Sequence, residues 1–257
     1  MKKLSLALKY LKYWFSSKNA HGIHSPFVFQ LYNEVINTKG NYYSFDKIEQ
    51  LRKKLLLSKK EIDVTDFGTG KSGKRIVSEI AERSLKSEKY GQLLFRLAYH
   101  FKPNTVLELG TSLGITTSYL ADANPNSKVI TIEGSSEILK EAKRNFSELQ
   151  LNNIETVIGN FDDVLPSVIG HQSSVDFVFF DGNHRKAPTL KYFSQCFESA
   201  NNDSVFIFDD IHWSGEMEEA WQEIKSHPKV TVTIDLFFLG LVFFRKEQAK
   251  ENFTLRF

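Results

Sequence analysis

A short apolar run, Val106-Leu107-Glu108-Leu109, stops at Gly110 and passes through Thr111-Ser112-Leu113-Gly114 into the helix-forming pattern Ile115-Thr116-Thr117-Ser118-Tyr119-Leu120-Ala121. Strand, glycine turn and helix follow one another directly, and this constrains the fold more than any other stretch. Gly110 and Gly114 keep bare backbone where a side chain would block a ligand. The amides that open the following helix can hydrogen-bond a carboxylate. The spacing Glu-x-Gly-x-x-x-Gly is not the Gly-x-Gly-x-x-Gly of dinucleotide sites. The plain alternative is an ordinary strand-to-helix turn with two incidental glycines.

Beyond this turn the chain alternates. Strands are predicted at 128–132, 156–158, 175–180 and 204–208, helices at 135–149 and 213–226, and a closing hairpin at 230–236 and 239–244. Residues 175–180 are almost wholly apolar, as in a strand covered on both faces. The expected fold is α/β: a Rossmann-like, doubly wound, mostly parallel seven-stranded sheet with an antiparallel closing hairpin. Residues 86–257 would form it, and residues 1–85 a helical N-terminal extension or lid. Ligands of such sheets sit beyond the carboxyl ends of the strands.

Acidic residues fall at those ends: Glu108, Glu133, Asp181, and the pair Asp209-Asp210. Glu133, at the end of the second strand beyond the glycine turn, is placed to accept ribose hydroxyls. Asp181, Asp209 and Asp210 would crowd one edge of the crevice and repel one another unless a cation sits among them. Hard oxygen ligands suit magnesium, with manganese or calcium as the other ions of that kind. Alternatively each acid caps a helix or begins a turn.

The glycine turn resembles the first motif of the S-adenosylmethionine-dependent methyltransferases. Residues 90–245 look like the metal-dependent O-methyltransferases related to the catechol and caffeoyl-CoA enzymes, including a Gly-Gln-containing helix, Gly91-Gln92, ahead of the first motif. Closer still is the branch whose fourth strand ends in Asp-Gly-x-His, here Asp181-Gly182-Asn183-His184. The resemblance implies that the methionine end of S-adenosylmethionine lies over Glu108, Gly110, Thr111, Ser112, Gly114 and Thr116. It places the ribose at Glu133 and Gly134, and the adenine at Asn160, Phe161 and Asp162, with Asp181 beside the cofactor. It makes Asp181, Asp209 and Asp210 the metal acids. Two departures matter. Catechol enzymes carry a lysine base where this chain has His184, and an Asp-Asn pair where it has Asp209-Asp210. A third anionic ligand would tighten metal binding. An imidazole at 184 can take a hydroxyl proton near neutral pH, with Asp181 as its catalytic partner, or can simply hydrogen-bond Asp181. His212 is expected to support or line the pocket. Trp213 would line an aromatic acceptor's pocket or start a helix in the core.

Composition narrows the partners. With a formal charge of +2 over 257 residues there is no global electrostatic case for nucleic acid. The single cysteine, Cys196, excludes an internal disulfide framework and fits a reducing, cytoplasmic setting. No apolar run reaches the length of a membrane span, and the Lys-flanked start, cut by Lys9, is read as mature sequence rather than a leader. No acid precedes Glu34, while Leu4, Leu8, Leu11 and Phe15 recur at helical spacing beside Trp14. This helix is expected to pack on its own domain or across a homodimer; the other reading is a basic amphipathic helix for a membrane surface or partner. His21 and His24 are expected to cap or pack. Gly68 to Lys74 fits a phosphate-cradling Gly-x-x-x-x-Gly-Lys, but Arg75 stands where Ser or Thr would hold magnesium. A basic lid or solvated loop is expected there.

The sequence therefore points to an enzyme that transfers a methyl group to a hydroxyl oxygen of a small molecule with help from a divalent metal. The other readings are a non-catalytic cofactor- or partner-binding protein on the same fold, and a nucleotide hydrolase using the Gly68–Arg75 run.

Overall fold

The computed structural model describes residues 2–38, 40, 42–64, 72–172 and 174–257, with side chains from residue 6 onward. In chain order the elements begin α1 (Lys2–Ser16), α2 (Pro26–Leu31, running into a π turn at Tyr32–Ile36), α3 (Tyr43–Leu56), β1 (Glu61–Val64), β2 (Gly73–Ile76), α4 (Val77–Ser84) and α5 (Glu88–Phe101). There follow β3 (Thr105–Leu109), α6 (Ile115–Ala123), β4 (Lys128–Glu133), α7 (Ser136–Glu148), β5 (Ile154–Ile158) and α8 (Phe161–Gly170). The last run is β6 (Phe177–Phe180), α9 (Lys186–Phe197), β7 (Val205–Asp209), α10 (Gly215–Ser226), β8 (Val232–Asp235), β9 (Leu239–Phe243) and β10 (Glu251–Thr254). Two compact units result: Thr38–Val168, and Met1–Asn37 with Ile169–Phe257.

In the continuous unit β3, β4 and β5 run parallel in that order, with Leu109 beside Ile132 and Glu133 beside Ile158. The middle of β4 and nearly all of β3 are buried, as strands flanked by helices on both faces require. Gly91 of α5 explains part of the helix packing. A Cβ there would lie 2.6 Å from the Tyr119 ring of α6, so only a glycine lets the two helices approach. β1 and β2 form a separate antiparallel hairpin, with Val64 opposite Gly73 and Asp63 opposite Lys74. This corrects the phosphate-loop reading. Gly73 and Lys74 are strand residues, whereas a phosphate-cradling loop must deliver them to a helix start. Gly68 and Lys71 lie outside the described residues.

The other unit orders its strands β10-β8-β9-β7-β6. β6 and β7 are parallel, β9 is antiparallel to both β7 and β8, and β10 returns parallel to β8. Its core is aromatic: Phe180 stacks on Phe208 at 4.3 Å, and Phe206 meets Phe244 edge-on. Each such buried ring contributes about 1.5–3 kcal/mol. Three strands in the one unit and five in the other make eight among the described residues, where seven were expected, because β10 adds an edge beyond the closing hairpin. The architecture is the mostly parallel, Rossmann-like α/β fold that the alternation implies.

The N-terminal helix packs on its own unit, as one reading expected, but not through its leucine stripe. α1 docks through Tyr13, which is buried against Phe237, and through Tyr10, edge-on to the same ring. The stripe faces outward: Leu8, Leu11 and Phe15 are exposed. Apolar spacing marks a face but does not say what covers it. Ser25 caps α2 by accepting from the Val28 amide, with Pro26 in its first turn, so the run around His24 is a helix start. Among the described residues no helix is long and apolar enough to cross a membrane.

Candidate active site

Within the continuous unit, the expected cofactor residues gather at the tips of β3, β4 and β5. The turn after β3 holds three left-handed residues in five: Gly110 (φ 109°), Ser112 (φ 48°) and Gly114 (φ 79°). The amides of Gly110 and Thr111 both donate to the Ile132 carbonyl on β4, and Asn145 of α7 donates to the Leu113 carbonyl at 2.8 Å. The Ser112 amide donates to Glu133 Oε2 and the Ser135 amide to Glu133 Oε1, each at 2.9 Å. Glu133 is therefore fixed at the strand tip. Thr116 sits in the first turn of α6, whose opening amides lack partners within the helix. Half-buried Gly134 follows Glu133. At the β5 tip Asn160 Oδ1 accepts from the Asp162 amide, so Asn160, Phe161 and Asp162 form the start of α8.

Two of these residues also do structural work that the sequence does not reveal. A Cβ on Gly114 would run into the Phe146 ring, so helix packing by itself requires a glycine there. Glu108 is fully buried and faces into the unit. Its Oε2 accepts from Thr117 and, at 2.7 Å, from Thr131, while Oε1 is buried without a partner. Burial pushes its pKa up to about 7, against the pull of the two threonine hydrogen bonds and with a further push from Glu133. The carboxyl ties α6 to the sheet. Thr131 pairs with it in register and shares its sheet face with Glu133 two residues on, so Glu108 lies one step below the strand tip that Glu133 occupies.

The other unit carries the acids. Parallel register pairs Phe180 with Phe208, so the residues that follow, Asp181 and Asp209, arrive side by side. Asn183 adopts a left-handed conformation (φ 56°), and the tight turn returns His184 towards them; its Nε2 lies 3.8 Å from Asp181 Oδ1. One ligand atom each from Asp181, His184 and Asp209 lies within 4.8 Å of the others, the one such group among the described residues. Asp210 stands outside it. Its backbone is left-handed (φ 53°) and its amide donates to the Phe238 carbonyl. His184 occupies the third position that the sequence reading gave to Asp210.

His212 sits in a network the sequence did not reveal. Its Nε2 pairs with Asp235 at 2.8 Å, its Nδ1 with Glu218 at 3.2 Å, and its ring stacks on Phe237. Lys9 of α1 closes the group, 2.9 Å from Glu218 and donating to the His212 carbonyl. Burial works to lower the His212 pKa, but the hydrogen bonds and charges of Asp235 and Glu218 outweigh it and hold it above the ordinary value. No motif marks Asp235 or Glu218; a carboxylate at the end of β8 was the only available hint. Trp213 is largely exposed and not a core residue.

Fold and strand-tip residues together define an α/β protein with a Rossmann-like, mostly parallel sheet and polar side chains at its strand tips. Residues 107–211 match the family model described as "Methyltransferase domain". The chain is 26% identical to a catechol O-methyltransferase of Niastella koreensis over 134 residues, 51% of this chain and 60% of that protein. It is 28% identical to the O-methyltransferase imqG of Aspergillus flavus over 117 residues, 43% of this chain and 47% of the other. The chain thus spans about half the length of the curated relatives it matches. The O-methyltransferase TomG of Streptomyces achromogenes, solved in complex with SAM, superposes with a TM-score of 0.59 over 85% of this chain and 96% of TomG, at 18% identity. These matches bear out the resemblance to class I S-adenosylmethionine-dependent O-methyltransferases of the catechol and caffeoyl-CoA kind.

Proposed function

We propose that the protein is an S-adenosylmethionine-dependent O-methyltransferase that acts on a small hydroxylated, catechol-like molecule with a divalent ion. The carrying observation is the cluster of Asp181, His184 and Asp209 at parallel strand tips, in a chain whose β3 turn is bound to Glu133 by the Ser112 amide. Glu133 would accept the ribose hydroxyls, the Gly110–Thr116 turn would receive the methionine end, and Asn160, Phe161 and Asp162 the adenine. S-adenosylmethionine supplies an electrophilic methyl on a sulfonium, so the chain's task is mainly positioning.

The donor set fits a hard ion. Magnesium is commonly held by one or two carboxylates, with water and substrate completing the shell. Asp181 and Asp209 meet that need, which leaves the His184 imidazole to take the acceptor's proton. An ion held there would lower the hydroxyl's pKa. In the transfer the acceptor oxygen would gain the methyl, the C–S bonding pair would remain on sulfur, and His184 would take the proton. The catechol named for the Niastella koreensis relative supports the choice of acceptor class. The intact His184 and acid pair support catalysis over the purely binding alternative.

Calorimetric titration of S-adenosylmethionine, paired with a labelled-methyl assay on catechols, tests this. Losing a charged hydrogen-bond acceptor costs about 1.5–3 kcal/mol, so Glu133→Ala should bind the donor at least tenfold more weakly. Asp209→Ala should bind it normally but lose transfer, as should the wild type with chelator. Unchanged affinity in Glu133→Ala, or full transfer after demetallation, would overturn the reading.

A further inference from the structure

The outward stripe of α1 has no role in the chemistry above. Phe15 is 82% exposed, Leu8 61%, Leu11 51% and Trp14 39%. Four large apolar side chains on one exposed face of a 15-residue helix exceed what isolated surface residues account for. The opposite face is anchored by Tyr13, whose hydroxyl donates to the Leu255 carbonyl, and by Lys9 on Glu218. The stripe is therefore held outward by a fixed helix.

Charge decides between occupants. No acid precedes Glu34 in the sequence. Lys12 and Lys18 are exposed, and the Arg256 guanidinium lies 4.2 Å over the Trp14 ring, adding a cation at the edge of the stripe. Pairing with a second copy of this helix would bring like charges together, which is unfavourable. An apolar stripe with Trp and Phe, flanked only by cations, matches a helix lying in the interface of an anionic bilayer. We propose that α1 docks this protein on anionic lipid surfaces, with Leu8, Leu11 and Phe15 inserted at the headgroup boundary and Lys12, Lys18 and Arg256 at the lipid phosphates.

Co-sedimentation of the full chain with vesicles tests this independently of the methyltransferase reading. Each cation near an anionic surface is worth about a fivefold gain in binding, so vesicles of phosphatidylcholine with one-third phosphatidylserine should bind at least tenfold better than phosphatidylcholine alone. Leu11→Glu with Phe15→Glu should abolish binding without changing the circular dichroism or melting midpoint, since both side chains face solvent. Lys12→Glu, which leaves the stripe intact, should weaken binding several-fold. Absence of binding to the phosphatidylserine vesicles would overturn the proposal, as would binding that survives the double substitution. A concentration-dependent dimer seen by light scattering and removed by the same substitutions would assign the stripe to a second copy instead.

Discussion

Glu108 shows how far a residue's identity can be read and where its role escapes. Its place near the end of a strand is visible in the sequence; its partners are not, since Thr131 lies 23 residues away and meets it through strand register. The consequence is a pH dependence. The folded pKa, about 7, stands above the ordinary 4.5, so the folded chain binds the proton more tightly than the unfolded one. The contribution is fully present below about pH 4.5 and lost as pH rises through 7, on the order of 3 kcal/mol in total. Urea midpoints measured from pH 4.5 to 8 should fall with a Glu108 component that Glu108→Gln removes, because the amide carbonyl still accepts from Thr117 and Thr131. Identical profiles for the two proteins would refute this account. Asp181 and His184 were legible for the opposite reason. Their spacing is local, and one left-handed turn at Asn183 brings them close.

Among the elements, the turn between β3 and α6 was read correctly in outline, yet the packing constraint on Gly114 was not visible. Its neighbour is Phe146 of α7, with ring atoms 2.4 and 2.7 Å from where an added methyl would stand, and its φ of +79° disfavours any side chain. Gly114→Ala should therefore cost about 1–3 kcal/mol from overpacking and roughly 1 kcal/mol more from backbone strain. Chemical denaturation would show it as a lower midpoint at unchanged slope. Adding Phe146→Leu should return part of the loss; equal stability of Gly114→Ala and wild type would show that packing does not fix this glycine. α1 carries the complementary lesson. Its period identified an apolar stripe, but the covered face belongs to Tyr10 and Tyr13, whose partner Phe237 lies at the far end of the sequence. Long-range docking of this kind leaves no local trace.

For the whole molecule, strand-helix alternation and apolar strands revealed the α/β class, while β10 escaped because Glu251-Asn252-Phe253-Thr254 lacks a buried strand's apolar run. If the chain binds S-adenosylmethionine as proposed, that ligand at a hundred times its dissociation constant should add about 2.7 kcal/mol. For a chain of this size that raises the melting midpoint by roughly 5–10 °C. Differential scanning fluorimetry would detect it, and Glu133→Ala should show little shift at the same concentration. The backbone also clasps two segments far apart in sequence: the Lys18 amide donates to the Thr254 carbonyl and its carbonyl receives the Arg256 amide, each at 2.9 Å. A ribosome adding about 5–20 residues per second thus releases the first helix long before its clasp exists. The segment that carries α1 must wait, unfastened, until β10 emerges.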